Sequence, residues 1–316
     1  MKTNKKQDTS LLNKGLIILV GVVLSVYTIS ILLPFAWALM TSLKSRMDFL
    51  TFENVLNLPN LEWSSDEVFK LKNYVQIFTN FEIKVSANYI SGTGKVSYST
   101  TCGLPMLLFN TLVYAGGGCI ISTLVPCVVA YMCAKYPYKC SKIVYAVAVL
   151  IMSIPIVGAY PSELRLLRQL SLYDNFFGNY LQKFNFTGMY FFVFYAFFET
   201  LSDSYCEAAE IDGASQLNTL VQIILPLAGK IISTVLLINF ITYWDDYQTP
   251  LLYLPTKPTI AYGVFQLIRD SSSSKGFDHV PIKIAGCMVL ALPILIIFIA
   301  LKEKLMGNIS MGGLKE

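Results

Sequence analysis

Long apolar runs alternate with polar segments along most of this 316-residue chain. Six of these runs are apolar enough to be membrane spans, and we place them at about 15–40, 105–132, 143–160, 186–201, 227–254 and 282–301. A helix crosses the hydrocarbon core of a bilayer with about 20 residues, and these runs are 16 to 28 residues long. The pattern predicts an all-α membrane protein in which residues 1–316 form a single transmembrane domain of six helices.

The composition agrees with this class and narrows the chemistry. The chain is 54% hydrophobic and 14% charged, with a mean hydropathy of +0.56. Its net charge of +4 comes largely from lysines beside apolar runs and forms no basic face, which argues against nucleic-acid binding. The seven cysteines are scattered without C-x-x-C spacing, and His279 is the single histidine. These patterns predict no disulfide framework, no metal site and no catalytic residue in this chain.

The lysine distribution predicts the orientation in the membrane. Lysines cluster before the first run, after the second and after the sixth, at Lys2, Lys5, Lys6, Lys14, Lys135, Lys139, Lys142, Lys302 and Lys304. Because cytoplasmic loops carry an excess of Lys and Arg, both termini are expected in the cytoplasm. Residues 48–102 then form an extracytoplasmic insertion. Within it, residues 82–90 and 95–99 alternate polar and apolar side chains around Ser-Gly-Thr-Gly, which predicts a β-hairpin.

A polar, helix-forming segment separates the fourth and fifth runs, at residues 203–226. Ser204 and Glu207 have the spacing of a capping box, so a helix is expected to begin there. Gly213 interrupts the helical pattern, and a second apolar periodicity continues until Pro226. The segment therefore predicts a helix, a glycine bend and a second helix that project as a knob. The Glu207 carboxylate could take an arginine of another subunit; the alternative is an amphipathic helix along the headgroups.

Two motifs resemble one transporter family. The pattern E-A-A-x-x-D-G-A followed by I-x-L-P resembles the signature loop of permease subunits of binding-protein-dependent ABC importers, and it comprises Glu207, Ala208, Ala209, Asp212, Gly213, Ala214, Ile223, Leu225 and Pro226. Residues 243–251 resemble the W-N-D-F-x-x-P-L word of sugar permeases, with Asp245 in place of the usual asparagine. From end to end, the chain is similar to the smaller subunit of maltose-type carbohydrate permeases.

This resemblance implies an ABC type I importer permease fold and a set of partners. These are a second homologous permease subunit, an ABC ATPase dimer that uses ATP and Mg²⁺, and an extracytoplasmic sugar-binding protein, in a bacterial or archaeal cell membrane. No Walker motif is present in the sequence, so ATP hydrolysis is expected on a separate chain. Contact with the ATPase is expected at Glu207, Ala208, Ala209, Asp212, Gly213 and Pro226.

The substrate path is expected to include Trp244, Asp246 and Tyr247, because a sugar needs flat apolar faces to stack on and acceptors for its hydroxyl groups. The alternative is that the aromatic residues form an interfacial belt and that the aspartates mark a helix end. Import of amino acids or peptides is the main functional alternative. A secondary transporter would need internal repeats or broken helices at the membrane midplane, and a membrane enzyme would need clustered carboxylates or histidines.

Overall fold

The computed structural model describes residues 3–50, 56–57, 71–91, 94–136, 138–154, 158–269 and 277–306. The chain divides into two compact units. One unit comprises Met1–Phe78 and Ser274–Val289, and the other comprises Thr79–Ser273 and Leu290–Glu316. Residues 51–55, 58–70 and 92–93 of the expected insertion lie outside the described residues.

The described elements are mainly helices. The chain begins with α1 (Thr3–Ser42), α2 (Arg46–Leu50) and α3 (Lys72–Asn80), followed by strands β1 (Glu82–Ser91) and β2 (Gly94–Gly103). It continues through α4 (Leu104–Lys135), α5 (Lys139–Ser153), α6 (Tyr160–Gln169), α7 (Phe176–Gln182), α8 (Met189–Thr200), α9 (Ser204–Ile211) and α10 (Gln216–Thr219). A π-helical turn (Leu220–Ile224) leads into α11 (Leu225–Leu227), α12 (Gly229–Trp244), α13 (Gln248–Tyr253), α14 (Ile260–Arg269) and α15 (Val280–Met306).

Each expected span contains a helix, but the helices differ in length. Within the described residues, Lys14–Ser42, Leu104–Lys135 and Val280–Leu301 are each long and apolar enough to cross a membrane. Gln216–Leu227 and Gly229–Trp244 pass the same test together as a pair bent by 75°. These helices make the chain a multi-pass helical membrane protein by length and composition.

Two expected spans end earlier than the apolar runs suggest. In the third run, α5 stops at Ser153, and Ile154 has extended backbone angles of −100° and 113°. Residue 155 is proline in the sequence, and the residue before a proline is disfavoured in the helical region. In the fifth run, α12 stops at Trp244, and α13 begins after a short break. Hydropathy misses the end of α5 because the sequence remains apolar through Ala159, and it misses the end of α12 because the polar break at residues 245–249 is short and apolar residues resume at Pro250.

The predicted β-hairpin is confirmed. Strands β1 and β2 pair in antiparallel register from Glu82 opposite Gly103 to Ser91 opposite Gly94. Ile83 and Val85 are buried whereas Glu82 and Lys84 are exposed, so one face of β1 packs inward as the alternation predicts. The second strand extends to Gly103, four residues beyond the expected end, and leads directly into α4.

The core of the larger unit forms where α4 packs against α8 and α12. Phe191, Phe194 and Phe198 recur at helical spacing along α8 and are fully buried. Phe198 meets Tyr131 of α4 edge to face, with ring centroids 5.5 Å apart. The aromatic face of α8 therefore fixes α8 on α4, just before the polar segment at residues 203–226.

Candidate functional site

The first candidate site is the signature loop, residues 203–226. Its first helix, α9, begins at Ser204 as expected, but the predicted capping box is wrong. The Asp203 carbonyl accepts the Glu207 backbone N–H at 3.0 Å, and the Ser204 hydroxyl bonds to the Ser202 hydroxyl at 2.8 Å. The reason is that Asp203 takes the N-cap position, so Ser204 already lies in the first turn.

Gly213 ends α9 in a left-handed conformation with φ of +75°. The Gly213 N–H donates to the Glu210 carbonyl at 3.0 Å, and the Ala214 N–H donates to the Ala209 carbonyl at 2.9 Å. These two bonds form a Schellman motif, in which glycine is favoured because it has no Cβ. A Cβ added to Gly213 would meet no atom of this chain within 4 Å, so the backbone conformation alone requires the glycine.

The second half of the loop is bent around Pro226. Ser215 caps α10, because its hydroxyl accepts the Asn218 N–H at 3.3 Å. The backbone then widens into the π-helical turn, and the Leu225 N–H donates to the Leu220 carbonyl five residues back. Pro226 has no N–H and would clash with the carbonyl four residues earlier, which accounts for a widened turn at this point. The helix–glycine–helix arrangement predicted for the loop is confirmed.

A buried lysine attaches this loop to the end of α4. The Lys135 side chain is 6% exposed, and its ammonium donates to Asp203 Oδ1 at 2.6 Å and to the Leu201 carbonyl. A polar cavity of about 380 Å³ adjoins this contact and is lined in part by Lys135, Asp203, Glu207 and Glu210. Lys135 thus fixes the point at which the chain leaves α8 and enters the loop.

The outer surface of the loop combines charged and large apolar side chains. Ile211 is 86% exposed and Leu217 is 73% exposed. Glu207, Ala208, Asp212, Gly213 and Pro226 are also exposed, whereas Ala209 is buried. Exposed apolar side chains beside exposed carboxylates leave this surface able to contact another protein or the lipid headgroups. Of the six residues predicted to couple to an ATPase, five therefore lie on the accessible surface of the loop, and Ala209 packs inside it.

The second candidate site is the segment that follows α12 and contains Asp246 and Tyr247. The Trp244 side chain, at the end of α12, is not accessible there. The Trp244 side chain is 3% exposed, its indole N–H donates to the Leu290 carbonyl at 3.0 Å, and its ring packs on Phe240. A ring that is buried on both faces cannot stack on a sugar. The expectation that Trp244 is a stacking surface therefore does not fit its position in the core.

Asp246 belongs to a polar network. Its Oδ2 accepts the Tyr114 hydroxyl at 2.6 Å, and its Oδ1 accepts the Thr249 N–H at 3.0 Å. The Lys183 ammonium donates to the same Tyr114 hydroxyl at 3.1 Å and lies 3.7 Å from the centre of the Tyr243 ring. Lys183 lies between α7 and α8, outside the expected spans. Burial lowers its pKa to about 8, and the Asp246 carboxylate acts in the opposite direction.

Tyr247 is the most accessible aromatic residue of the predicted path. Its side chain is half-buried, and its ring stacks on Phe265 with centroids 4.5 Å apart. Gln248 Nε2 donates to the Tyr247 hydroxyl at 3.4 Å. Asp246 is likewise half-buried, whereas Asp245 is exposed and closes the end of α12. The structure therefore brings Asp246 and Tyr247 together at a helix end and leaves Trp244 behind them.

Comparison with known proteins decides the family. Residues 127–305 match the model of the family described as binding-protein-dependent transport system inner membrane component, which is more than half of the chain. The chain belongs to this family. It is a permease subunit, and the matched region includes both the signature loop and the segment that carries Asp246 and Tyr247.

Several relatives are permeases as well. The permease is 22% identical over 290 residues to the diacetylchitobiose uptake system permease protein of Streptomyces coelicolor, covering 92% of this chain and 86% of that protein. It is 23% identical over 210 residues to the melibiose/raffinose/stachyose import permease protein of Bacillus subtilis, covering 65% and 74%.

A solved structure supports the fold. A chain of a bacterial ABC transporter involved in the import of the acidic polysaccharide alginate superposes with a TM-score of 0.68 at 20% identity, covering 96% of the permease and 98% of that chain. At this identity the likeness shows the type I permease fold.

The sequence pattern does not point to three residues of these sites. Lys135 indicates only the orientation of the chain, and nothing in the motifs marks Tyr114 or Lys183. Lys183 does carry a signal, since a lysine between aromatic residues beside an apolar run indicates a polar partner nearby. That partner is Tyr114, 69 positions away along the chain.

Proposed function

We propose that this permease forms half of the translocation path of an ATP-driven importer for a carbohydrate, with a di- or oligosaccharide as the substrate. An extracytoplasmic binding protein delivers the sugar, and a second homologous permease subunit forms the other half of the path. The chain itself is not an enzyme in this proposal, because ATP and Mg²⁺ are used by a separate ATPase dimer.

The observation that carries the proposal is the shape of the signature loop. Its first helix ends in a Schellman turn at Gly213, and the exposed Ile211 and Leu217 side chains flank that turn. A short helix with exposed apolar side chains suits a cleft on another protein, since binding would bury those side chains. Glu207 lies in the first turn of α9 and is exposed, where it can accept a bidentate arginine of the ATPase.

The carbohydrate part of the proposal rests on the relatives and on Asp246 and Tyr247. According to their names, the relatives described above serve the uptake of diacetylchitobiose and the import of melibiose, raffinose and stachyose. A sugar needs hydrogen-bond acceptors for its hydroxyl groups and an apolar face to stack on. The half-buried Asp246 carboxylate and Tyr247 hydroxyl are such acceptors, and the stacked rings of Tyr247 and Phe265 offer an apolar face. Trp244 then supports this segment from behind and does not contact the sugar.

The test uses the complex purified through a tag on this chain. We expect co-purification of an ATPase, and we expect Mg²⁺-dependent ATP hydrolysis that rises when a binding protein loaded with an oligosaccharide is added. Stimulation by amino acids or peptides in place of oligosaccharides would refute the carbohydrate assignment. Absence of an ATPase from the complex would refute the importer assignment.

Glu207→Ala gives a sharper test of the coupling role. A charge-assisted hydrogen bond contributes about 1.5 to 3 kcal/mol, so the variant should lose ATPase during purification. Glu199→Ala is the matched control, because Glu199 is also exposed but lies at the end of α8, outside the loop. Equal retention of the ATPase by both variants would remove Glu207 from the interface.

The orientation can be tested with natural and introduced cysteines. We propose that both termini and Cys140 face the cytoplasm and that the hairpin faces outward. Cys140 is exposed, and so is Ser99 on β2. A membrane-impermeant maleimide should label Ser99→Cys in intact cells and reach Cys140 only after the cells are opened. The reverse labelling pattern would refute this orientation.

A further inference from the structure

A glycine patch on α4 receives side chains from the segment around the end of α7. Three successive glycines occur on this helix, and the last two face Tyr180 and Lys183. A Cβ added to Gly117 would overlap the Tyr180 ring, and a Cβ added to Gly118 would lie 3.1 Å from Lys183 Cδ. Because glycine has no side chain, the two larger side chains can lie directly against the α4 backbone.

The Lys183 ammonium lies against two tyrosine rings. Its Nζ is 3.7 Å from the centre of the Tyr243 ring and 4.6 Å from the centre of the Tyr114 ring. The two rings meet edge to face with centroids 5.9 Å apart, and the Tyr243 hydroxyl bonds to the Ser122 hydroxyl of α4 at 2.6 Å. Because a cation is attracted to the face of an aromatic ring, these rings hold the ammonium beside the Tyr114 hydroxyl.

Hydrogen-bond chemistry fixes the order of donation from Lys183 to Asp246. An ammonium carries only donors and a carboxylate only acceptors. The Tyr114 hydroxyl lies between them, where it accepts from Lys183 Nζ at 3.1 Å and donates to Asp246 Oδ2 at 2.6 Å. Tyr114 is fully buried, which fixes the position of its hydroxyl. Lys183 therefore acts on Asp246 through a single phenol group.

The carboxylate of Asp246 keeps acceptor sites for a ligand. Within the described part of the chain it receives two hydrogen bonds, from the Tyr114 hydroxyl and from the Thr249 N–H at 3.0 Å. A carboxylate has about four lone-pair sites, and the Asp246 side chain is half-buried, so sites remain for the hydroxyl groups of a ligand. The terminal torsion of an aspartate is broad, so loss of the Tyr114 bond would let the carboxylate turn about its last bond.

We propose that Lys183 and Tyr114 are positioning residues for sugar uptake. Together they hold the Asp246 carboxylate in the orientation in which its remaining acceptor sites bind sugar hydroxyl groups. Neither residue contacts the sugar itself, because the effect of both passes through Asp246. This inference rests on the carbohydrate function proposed above, and it adds to the substrate site two residues that lie far from residues 243–251 in the sequence.

The test measures uptake by the assembled complex in vesicles at increasing concentrations of a binding protein loaded with a neutral di- or oligosaccharide. Tyr114→Phe and Lys183→Met should each lower the kcat of uptake about tenfold, the change expected when one hydrogen bond no longer holds a carboxylate. The KM for the loaded binding protein should stay the same, because this KM reports docking and Tyr114 is fully buried. Tyr114→Phe keeps the buried ring, so it decides the question if Lys183→Met lowers assembly of the complex.

Tyr180→Phe is the matched control. The Tyr180 hydroxyl donates to the Val113 carbonyl, so this variant also removes one hydroxyl bond to α4, but that bond does not lead to Asp246. A purely structural role would make Tyr180→Phe and Tyr114→Phe equally damaging. Asp246→Asn provides a second check, because Lys183→Met should cause no further loss of kcat in that background if Lys183 acts through Asp246.

The outcomes separate this inference from the proposed function. A lower kcat in Tyr114→Phe and Lys183→Met, with Tyr180→Phe close to the unmodified chain and no further loss in the double variant, supports the positioning role. Equal losses in Tyr114→Phe and Tyr180→Phe, an unchanged kcat in Tyr114→Phe, or a further loss in the double variant overturns it and leaves the carbohydrate function standing. If the unmodified complex takes up no oligosaccharide, the proposed function fails and this inference fails with it.

Discussion

Replacing Gly213 should disable the signature loop through the backbone alone. Gly213 has φ of +75°, and a Cβ at this position would have open space within the chain. A left-handed conformation costs an L-residue about 1 to 2 kcal/mol. A penalty of that size lowers the population of the correctly turned loop by roughly 5- to 30-fold. Valine should be worst because it is β-branched, whereas asparagine should be mild because it tolerates this region.

The assay compares Gly213→Asn, Gly213→Ala and Gly213→Val in the assembled complex by hydrogen exchange of the loop and by ATP-driven uptake. We expect both protection and uptake to fall in the order Gly, Asn, Ala, Val, with membrane insertion unchanged. Gly229→Ala is the control, because Gly229 also has open space but no positive φ. If Ala and Asn behave alike, or if Gly229→Ala is equally damaging, the backbone explanation is wrong.

Three further predictions concern buried polar and aromatic groups. Lys135→Met should cost about 1 to 3 kcal/mol, because it removes the bonds to Leu201 and Asp203; unchanged hydrogen exchange in the loop would contradict this. Trp244→Ala should cost about 3 to 5 kcal/mol in thermal unfolding and Trp244→Phe less, whereas a stable Trp244→Ala with altered sugar selectivity would restore it to the substrate path. In the folded protein the pKa of Lys183 is about 8, below the ordinary value of 10.5. Between pH 8 and 10.5 the folded state therefore binds fewer protons than the unfolded state, so the free energy of unfolding rises with pH across this range. Lys183→Met should abolish this rise in thermal-unfolding profiles, and an unchanged profile would contradict it.

Patterns with a short period predicted the local structure well. The alternation from Glu82 to Ser99 was sufficient for the hairpin, because the two faces of a strand differ in exposure. Gly213 predicted the bend, because few other residues adopt its conformation. The capping box is wrong because the helix begins one residue earlier than the box requires: Asp203 holds the N-cap position, and its carboxylate bonds Lys135 and does not cap the helix.

The local sequence pattern does not determine which residues of the two candidate sites are accessible, because accessibility depends on contacts between residues far apart in the chain. Trp244 and Tyr247 lie three positions apart in the same sequence word, but they have different surroundings. Leu290, 46 positions away, accepts the indole N–H of Trp244, whereas Tyr247 packs on Phe265 and remains half-exposed. By residue type alone, tryptophan is the better side chain for stacking on a sugar. Only long-range packing shows that both faces of the Trp244 ring are already covered.

The two candidate sites are joined by α4 as well as by α12. Near its start, α4 carries Tyr114, which bonds Asp246 at 2.6 Å; at its end it carries Lys135, which bonds Asp203 at 2.6 Å. These residues are 21 positions apart on one helix, or roughly 32 Å at 1.5 Å per residue. The signature loop also continues into α12, which ends just before Asp246. Two helices therefore connect the loop to the Asp246 network in parallel. In the proposed importer, a displacement of the loop against an ATPase would pull on both helices. The bonds of Tyr114 and Lys135 resist slippage of α4, because breaking either removes one partner from a buried phenol or ammonium group.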